Sequence, residues 1–152
     1  MILIYKSPTA DTRTCDFTKV SKETLLESSR QHINDVVRGL HYFSEVLGEA
    51  AAIHDYDKIL DIDGFHHDFQ TGFKETKWWD NHRKLNRHHL NIADGIRDDV
   101  NLIDVLDYIT DCVMAGMARS GSVYDITLPN EVIQKAFANT VELLKRQVGV
   151  AE

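Results

Sequence analysis

Apolar residues recur along the chain at the three- and four-residue steps that place side chains on one face of an α-helix. The first such stretch extends from Leu25 to Leu47, and His32 lies on the same face. Ser21 is a suitable N-cap at its start, and Gly48 is a suitable end. The pattern therefore predicts a long first helix with one histidine on its apolar face.

The remainder of the chain continues the helical pattern and shows almost none of the alternation that is typical of strands. Residues 2–5 could form a short strand, and residues 1–20 otherwise form an irregular lead-in. We therefore predict an all-α fold, a compact bundle of about five to six helices in a single domain over residues 1–152. Beyond the first helix, helices are predicted over 49–56, around 65–69 within a loop over 57–74, over 75–90, from residue 98 or 99 to about 119, and from Pro129 to about 144.

Composition places the chain among folded globular proteins and argues against several functions. The 152 residues are 43% hydrophobic and 27% charged, and the net charge is −7 with histidine neutral. This acidic balance argues against bulk binding to nucleic acid, whose phosphates attract cationic surfaces. Two isolated cysteines, Cys15 and Cys112, favour a reducing compartment over a disulfide framework. With no secretory leader and no apolar run of about 20 residues, the sequence predicts a cytoplasmic protein without a membrane span.

Histidine is unusually concentrated in one part of the chain. Six of the eight histidines lie between His54 and His89, and His54 is followed directly by Asp55. Neutral imidazoles and carboxylates are ligands of divalent transition metals. An adjacent His-Asp pair at the end of a helix can give both donors to one ion, or can let the aspartate bridge two. The histidine-rich segment therefore predicts a metal site.

The predicted helix over 75–90 offers further donors on one face. His82, Asn86 and His89 are four and seven residues apart, so their side chains project from the same side. His88 is expected to point a quarter turn or more away. Three carboxylates share a face of the following helix in the same way: Asp104, Asp107 and Asp111.

The order of these donors resembles the HD superfamily of metal-dependent phosphohydrolases. Members are all-helical and carry a histidine on one helix, an adjacent His-Asp pair on the next and an aspartate on a later one. The matching residues here are His32, His54–Asp55 and Asp111, the last within Thr-Asp-Cys-Val-Met-Ala. Members with two metals add two histidines and often a lysine three positions after the aspartate, where this chain has Lys58. The Trp, His, Asn and His-His series over 79–89 is similar to that of small bacterial and phage members, and the resemblance covers about residues 32–115.

The resemblance implies an HD-domain-like bundle that holds one or two divalent transition-metal ions, of Mn, Fe, Co, Ni or Zn. Asp55 and Lys58 would act in catalysis. Lys58, Arg83 and Arg87 would bind the phosphate of the substrate. The implied metal ligands are His32, His54, Asp55, His82, His89 and Asp111.

The activity that this resemblance implies is hydrolysis of a small phosphorylated ligand, a nucleotide or another small phosphate ester. Two other functions stay open at this point: a di-iron HD-type oxygenase, and a non-catalytic protein that binds and sequesters a nucleotide. His88, His66 or His67 could replace one of the implied ligands. A homo-oligomer is also compatible with the sequence.

Overall fold

The computed structural model describes residues 1–7, 9, 11–74, 77–92 and 95–151. The fold is predominantly helical, which confirms the all-α prediction. The chain divides into two compact units, Met1–Glu45 with Glu142–Glu152, and Val46–Val141. The helices are α1 Lys22–Ile53, α2 Asp57–Leu60, α3 Ile62–Gln70, α4 Trp78–Leu85, α5 Leu102–Ser120 and α6 Asn130–Lys145, and the strands are β1 Ile2–Tyr5, β2 Asn91–Ile92, β3 Gly95–Ile96 and β4 Val148–Ala151.

In the first unit, the two ends of the chain form a small parallel sheet. β1 pairs with β4 in a register that runs from Ile2 opposite Val148 to Tyr5 opposite Ala151. Helix α1 is tied to this sheet by side chains, because Gln31 donates to the carbonyl of Tyr5 at 2.7 Å. The strand over 2–5 was anticipated by the sequence, whereas β4 follows α6 too closely and is too short to show a pattern of its own.

Helix α1 is longer than predicted. Its N-cap is Ser21, whose hydroxyl accepts from the backbone N–H of Thr24 at 3.1 Å, as expected. The predicted break at Gly48 and the separate helix over 49–56 are wrong, because α1 continues to Ile53. Gly48 keeps a negative φ, and the three alanines after it favour helix. His32 and the residue before His54 therefore lie on one helix and not on two.

The segment that was predicted as a loop with one short helix contains both α2 and α3. Asp61 caps α3, since its carboxylate accepts from the N–H of Gly64 at 3.1 Å. Helix α4 is shorter than the predicted helix over 75–90, of which residues 75 and 76 lie outside the described part. It ends at Leu85 because Asn86 adopts an extended backbone and its side chain donates to the carbonyl of His82 at 3.1 Å. Such local side-chain bonds compete with helix continuation.

The N-cap of helix α5 lies two or three residues after Asp98 or Asp99, where the cap was predicted. Asn101 is its N-cap and forms a reciprocal capping box with Asp104, so residues 98 and 99 precede the helix. Its end is as expected, at Gly121 with a left-handed φ of 69°. The side chain of Asn139 on α6 donates to the carbonyl of Val100 at 2.7 Å and fixes the segment before α5.

A small apolar core in the second unit holds the segment after α4 against α5 and α6. Its buried members are Leu90, Val100, Val105, Val132 and Ala136. Because Leu90 follows the His88–His89 pair directly, this core fixes the position of both imidazoles. No helix in the described ranges combines the length and the apolar character that crossing a membrane requires.

Candidate metal centre

Asp55 lies where the chain leaves α1. Its backbone is left-handed, with φ of 56°, a conformation that aspartate tolerates better than most residues. The turn is held by Asn86, whose side-chain oxygen accepts from the N–H of Asp55 at 2.9 Å. One amide therefore links the end of α1 to the end of α4 and sets the direction of the Asp55 carboxylate.

Three imidazoles face this carboxylate. Oδ1 of Asp55 lies 3.3 Å from Nε2 of His82 and 3.6 Å from Nε2 of His88, and Oδ2 lies 3.7 Å from Nε2 of His54. Lys58 forms an ion pair with Oδ2. Oδ1 is buried and has no hydrogen-bond partner among the described residues. A buried carboxylate oxygen without a donor is costly unless a cation satisfies it, so the donors present fit a metal ion.

The side chains around Asp55 keep its carboxyl group ionised. Burial acts to raise the pKa of this carboxyl, but the hydrogen bond and charge of Lys58, with the charges of His88 and His54, lower it overall. An ionised carboxylate is the form that binds a cation. Asp55 is therefore ready to act as a ligand at neutral pH.

His82 is held in one tautomer by a carboxylate and an amide. The imidazole is completely buried, and its Nδ1 lies 2.8 Å from Oδ2 of Asp57. The other oxygen of Asp57 accepts from the Asn86 amide at 2.8 Å. Since an ionised carboxylate only accepts, Nδ1 carries the proton and Nε2 presents a lone pair toward Asp55. This is the arrangement by which a second carboxylate orients a metal-binding histidine.

His54 shows the same arrangement on the other side of Asp55. Its Nδ1 lies 2.8 Å from Oδ1 of Asp107 on α5, so Nδ1 donates and Nε2 is free. That Nε2 lies 3.9 Å from Oδ1 of Asp111, one helical turn further along α5. Asp107 thus orients the imidazole, and Asp111 completes a set of donors with His54 and Asp55.

The His88–His89 pair supplies two further imidazoles. The expectation that His88 points away is wrong: it is buried, because the chain leaves helical geometry after Leu85. Nε2 of His89 lies 2.9 Å from Nε2 of His82, so the two nitrogens are close enough together to bind one ion. Burial, followed by the charge of His54, lowers the pKa of His88, and burial with the charges of His88 and His82 lowers the pKa of His89 to about 3. Both imidazoles are therefore neutral near pH 7.

These side chains form overlapping sets that could hold metal ions. The three-histidine group consists of Asp55, His82, His88 and His89, and the His54 group consists of His54, Asp55 and Asp111. A third set, His54, His88 and Asp107, uses the carboxylate that already accepts from His54. The first two groups share Asp55, so its carboxylate would be the ligand common to both if each group held an ion.

The neighbouring helices fix α4 and thus His82. Asp68 on α3 is fully buried, and its carboxylate accepts from the N–H of Trp79 at 3.0 Å. The rings of Trp78 and Trp79 stack on His82, with centroids 5.1 and 5.0 Å away. The two tryptophans therefore turn this face of α4 inward, toward Asp55.

The structure brings together five of the six ligands that the sequence suggested. These are His54, Asp55, His82, His89 and Asp111. His32 lies on α1 in the first unit and belongs to none of the groups found among the described residues. The same is true of His66 and His67, the other candidates for a replaced ligand.

All three cations suggested for phosphate binding are engaged by carboxylates. Arg83 donates to Asp80 at 2.6 Å. Arg87 donates to Asp104 through two nitrogens at 2.8 Å, and this pairing raises its pKa. Asp104 is buried, so Arg87 chiefly neutralises a buried charge beside the α5 cap. Lys58 pairs with Asp55 and lies at the centre itself.

Sequence reasoning offered His88 only as a replacement for another ligand, and it did not single out the two orienting carboxylates, Asp57 and Asp107. His88 was misplaced because the helix over 75–90 was extended past Asn86. Asp57 is two residues after Asp55, and Asp107 is four before Asp111, so spacing to a ligand is the signal that could have identified them. Neither spacing distinguishes an orienting carboxylate from an exposed one.

Comparison of the chain with protein-family models, with curated proteins and with solved structures found no match. The centre is therefore interpreted from its own residues.

Proposed function

We propose that this protein is a metal-dependent phosphohydrolase of the HD type, which uses two divalent transition-metal ions to hydrolyse a nucleotide or another small phosphate ester. The observation that carries the proposal is the position of Asp55 between two groups of donors, with a buried oxygen that lacks a partner. Mixed imidazole and carboxylate donors suit Mn, Fe, Co, Ni or Zn.

The residues around Asp55 fit the demands of phosphoryl transfer to water. When bound, ions in such a pair of sites lower the pKa of water and offset the charge of a phosphoryl group. Asp57 and Asp107 accept from Nδ1 of His82 and His54, so Nε2 of each imidazole is turned toward Asp55. The ammonium group of Lys58 supplies a positive charge beside the centre for an oxygen of the phosphate.

A release assay with the full-length protein tests the proposal. Each of the five metals is added to the purified chain with a panel of nucleotides and small phosphate esters, and both free phosphate and oxygen consumption are measured. We expect metal-dependent phosphate release that Asp55→Asn abolishes and Asp63→Asn, a change at an exposed carboxylate of α3, leaves intact. Oxygen uptake without phosphate release, or tight nucleotide binding without turnover, would contradict the hydrolase and identify an oxygenase or a sequestering protein.

A further inference from the structure

A cavity of about 240 Å³ lies between α5 and the segment after it, within the second unit. Its lining includes Asp111 of the His54 group, together with Arg119 and Tyr124. This volume is slightly below the range of about 300–1,000 Å³ that is usual for pockets that bind small molecules. The cavity thus adjoins the candidate metal centre through one shared residue.

The floor of the cavity is one face of α5. Asp111, Ala115 and Arg119 follow each other at steps of four, so they share this face over about 12 Å. Gly116 beside them lets the next segment approach closely, since a Cβ there would lie 2.8 Å from the carbonyl oxygen of Ser122. Small residues therefore leave open space between the aspartate and the arginine.

Arg119 differs from the other arginines of the second unit. Arg83, Arg87 and Arg97 each pair with an aspartate. Within the described ranges, no hydrogen bond or ion pair engages Arg119, which is exposed at the cavity. Its planar guanidinium is free to bind an anion with two parallel hydrogen bonds.

The opposite wall carries an exposed aromatic ring and a carboxylate. Tyr124 is 75% exposed although its side chain is large and partly apolar, and such rings provide stacking surfaces for nucleic-acid bases. Asp125 lies next to it. Two carboxylates in a small cavity, Asp111 and Asp125, repel additional phosphate groups, which favours a monophosphate over a triphosphate.

We propose that this cavity binds a nucleoside monophosphate, with Arg119 bound to its phosphate and Tyr124 stacked on its base. The inference rests on the proposed function, because the cavity shares Asp111 with the candidate metal centre. It adds the substrate class and a binding residue that the donor pattern did not indicate.

Calorimetric titration of the protein as isolated tests the cavity, with metal content measured on the same sample. The probe is the 5′-methylenephosphonate of adenosine, whose P–C bond resists hydrolysis. Adenosine and methylphosphonate serve as the separate halves of the probe. We expect the whole probe to bind at least tenfold more tightly than either half. Arg119→Gln should weaken it about tenfold and Tyr124→Ala about fivefold.

Arg146→Gln is the matched control, because Arg146 is an exposed arginine of the first unit. We expect it to bind the probe like the unmodified chain. Equal affinity for methylphosphonate and the whole probe, or unchanged binding in Arg119→Gln, would overturn the inference even if metal and phosphate release are found. Arginine-dependent binding of the probe by a chain that releases no phosphate with any of the five metals would instead sustain this site and refute the proposed hydrolase.

Discussion

The hydrogen bond from His82 to Asp57 determines which nitrogen of a buried imidazole is free to bind a metal. Asp57→Asn keeps the shape of the side chain but removes its charge. The Nδ1–H of His82 then bonds to a neutral amide oxygen, or faces an NH₂ group that cannot accept. In both cases the Nε2 lone pair toward Asp55 becomes a weaker ligand.

The size of the effect follows from the type of bond. Hydrogen bonds to charged groups contribute about 1.5–3 kcal/mol and neutral ones about 0.5–1.5 kcal/mol, so the loss is about 1.5 kcal/mol. Because about 1.4 kcal/mol corresponds to a factor of ten, metal affinity should fall roughly tenfold. That value agrees with the losses of about 10- to 100-fold that are typical when a residue that orients a metal ligand is changed.

Competition against a fluorescent zinc chelator measures this affinity directly. Asp63→Asn is the control, because it removes the same charge from the neighbouring helix without touching His82. Urea unfolding of the metal-free variants separates a loss of metal affinity from a loss of stability. A change of less than twofold in Asp57→Asn would refute the argument that Asp57 prepares His82 as a ligand.

Three further predictions concern other parts of the centre. In the folded chain the pKa of His88 is lowered and that of His89 is about 3. Below pH about 6.5 the unfolded chain therefore binds more protons than the folded chain does. The unfolding free energy of the metal-free protein should therefore fall as pH decreases from about 6.5 toward 3, and equal urea midpoints at pH 7 and 5 would contradict this. Arg87→Ala should lower the unfolding free energy by about 2 kcal/mol, because it leaves Asp104 buried without its partner, while KM stays unchanged; a raised KM at full stability would restore Arg87 to phosphate binding. His82→Ala should retain one ion, in the His54 group, and lose most turnover, and elemental analysis that finds no loss of metal would count against the three-histidine group.

The sequence predicted the donors better than the backbone that carries them. The crowding of histidine and the adjacent His54–Asp55 pair identified most of the cluster, because metal chemistry restricts ligands to few residue types. The predicted elements failed at helix ends. Gly48 did not end α1, because an alanine-rich continuation outweighed one glycine, and α4 ended early because the Asn86 side chain bonds to its last turn.

The positions of these two helix ends, at Ile53 and Leu85, explain which histidines the sequence assigned correctly to the metal centre. With α1 unbroken, His32 lies on the same helix that ends just before His54 and not on a neighbouring one. With α4 ending at Leu85, His88 and His89 both turn inward, although helical spacing would separate them. Helix ends depend on bonds between distant residues, such as the one from Asp55 to Asn86, and periodicity along the chain does not contain that information.

Metal stoichiometry at Asp55 tests the central claim most directly. Asparagine tolerates the left-handed backbone of this position, so Asp55→Asn removes the shared charge and leaves the turn intact. After saturation with manganese or zinc and removal of free ions, elemental analysis should find about two ions per unmodified chain. It should find at least one ion fewer in Asp55→Asn and no change in Asp63→Asn. Equal metal content in the unmodified chain and in Asp55→Asn would contradict the shared-carboxylate centre.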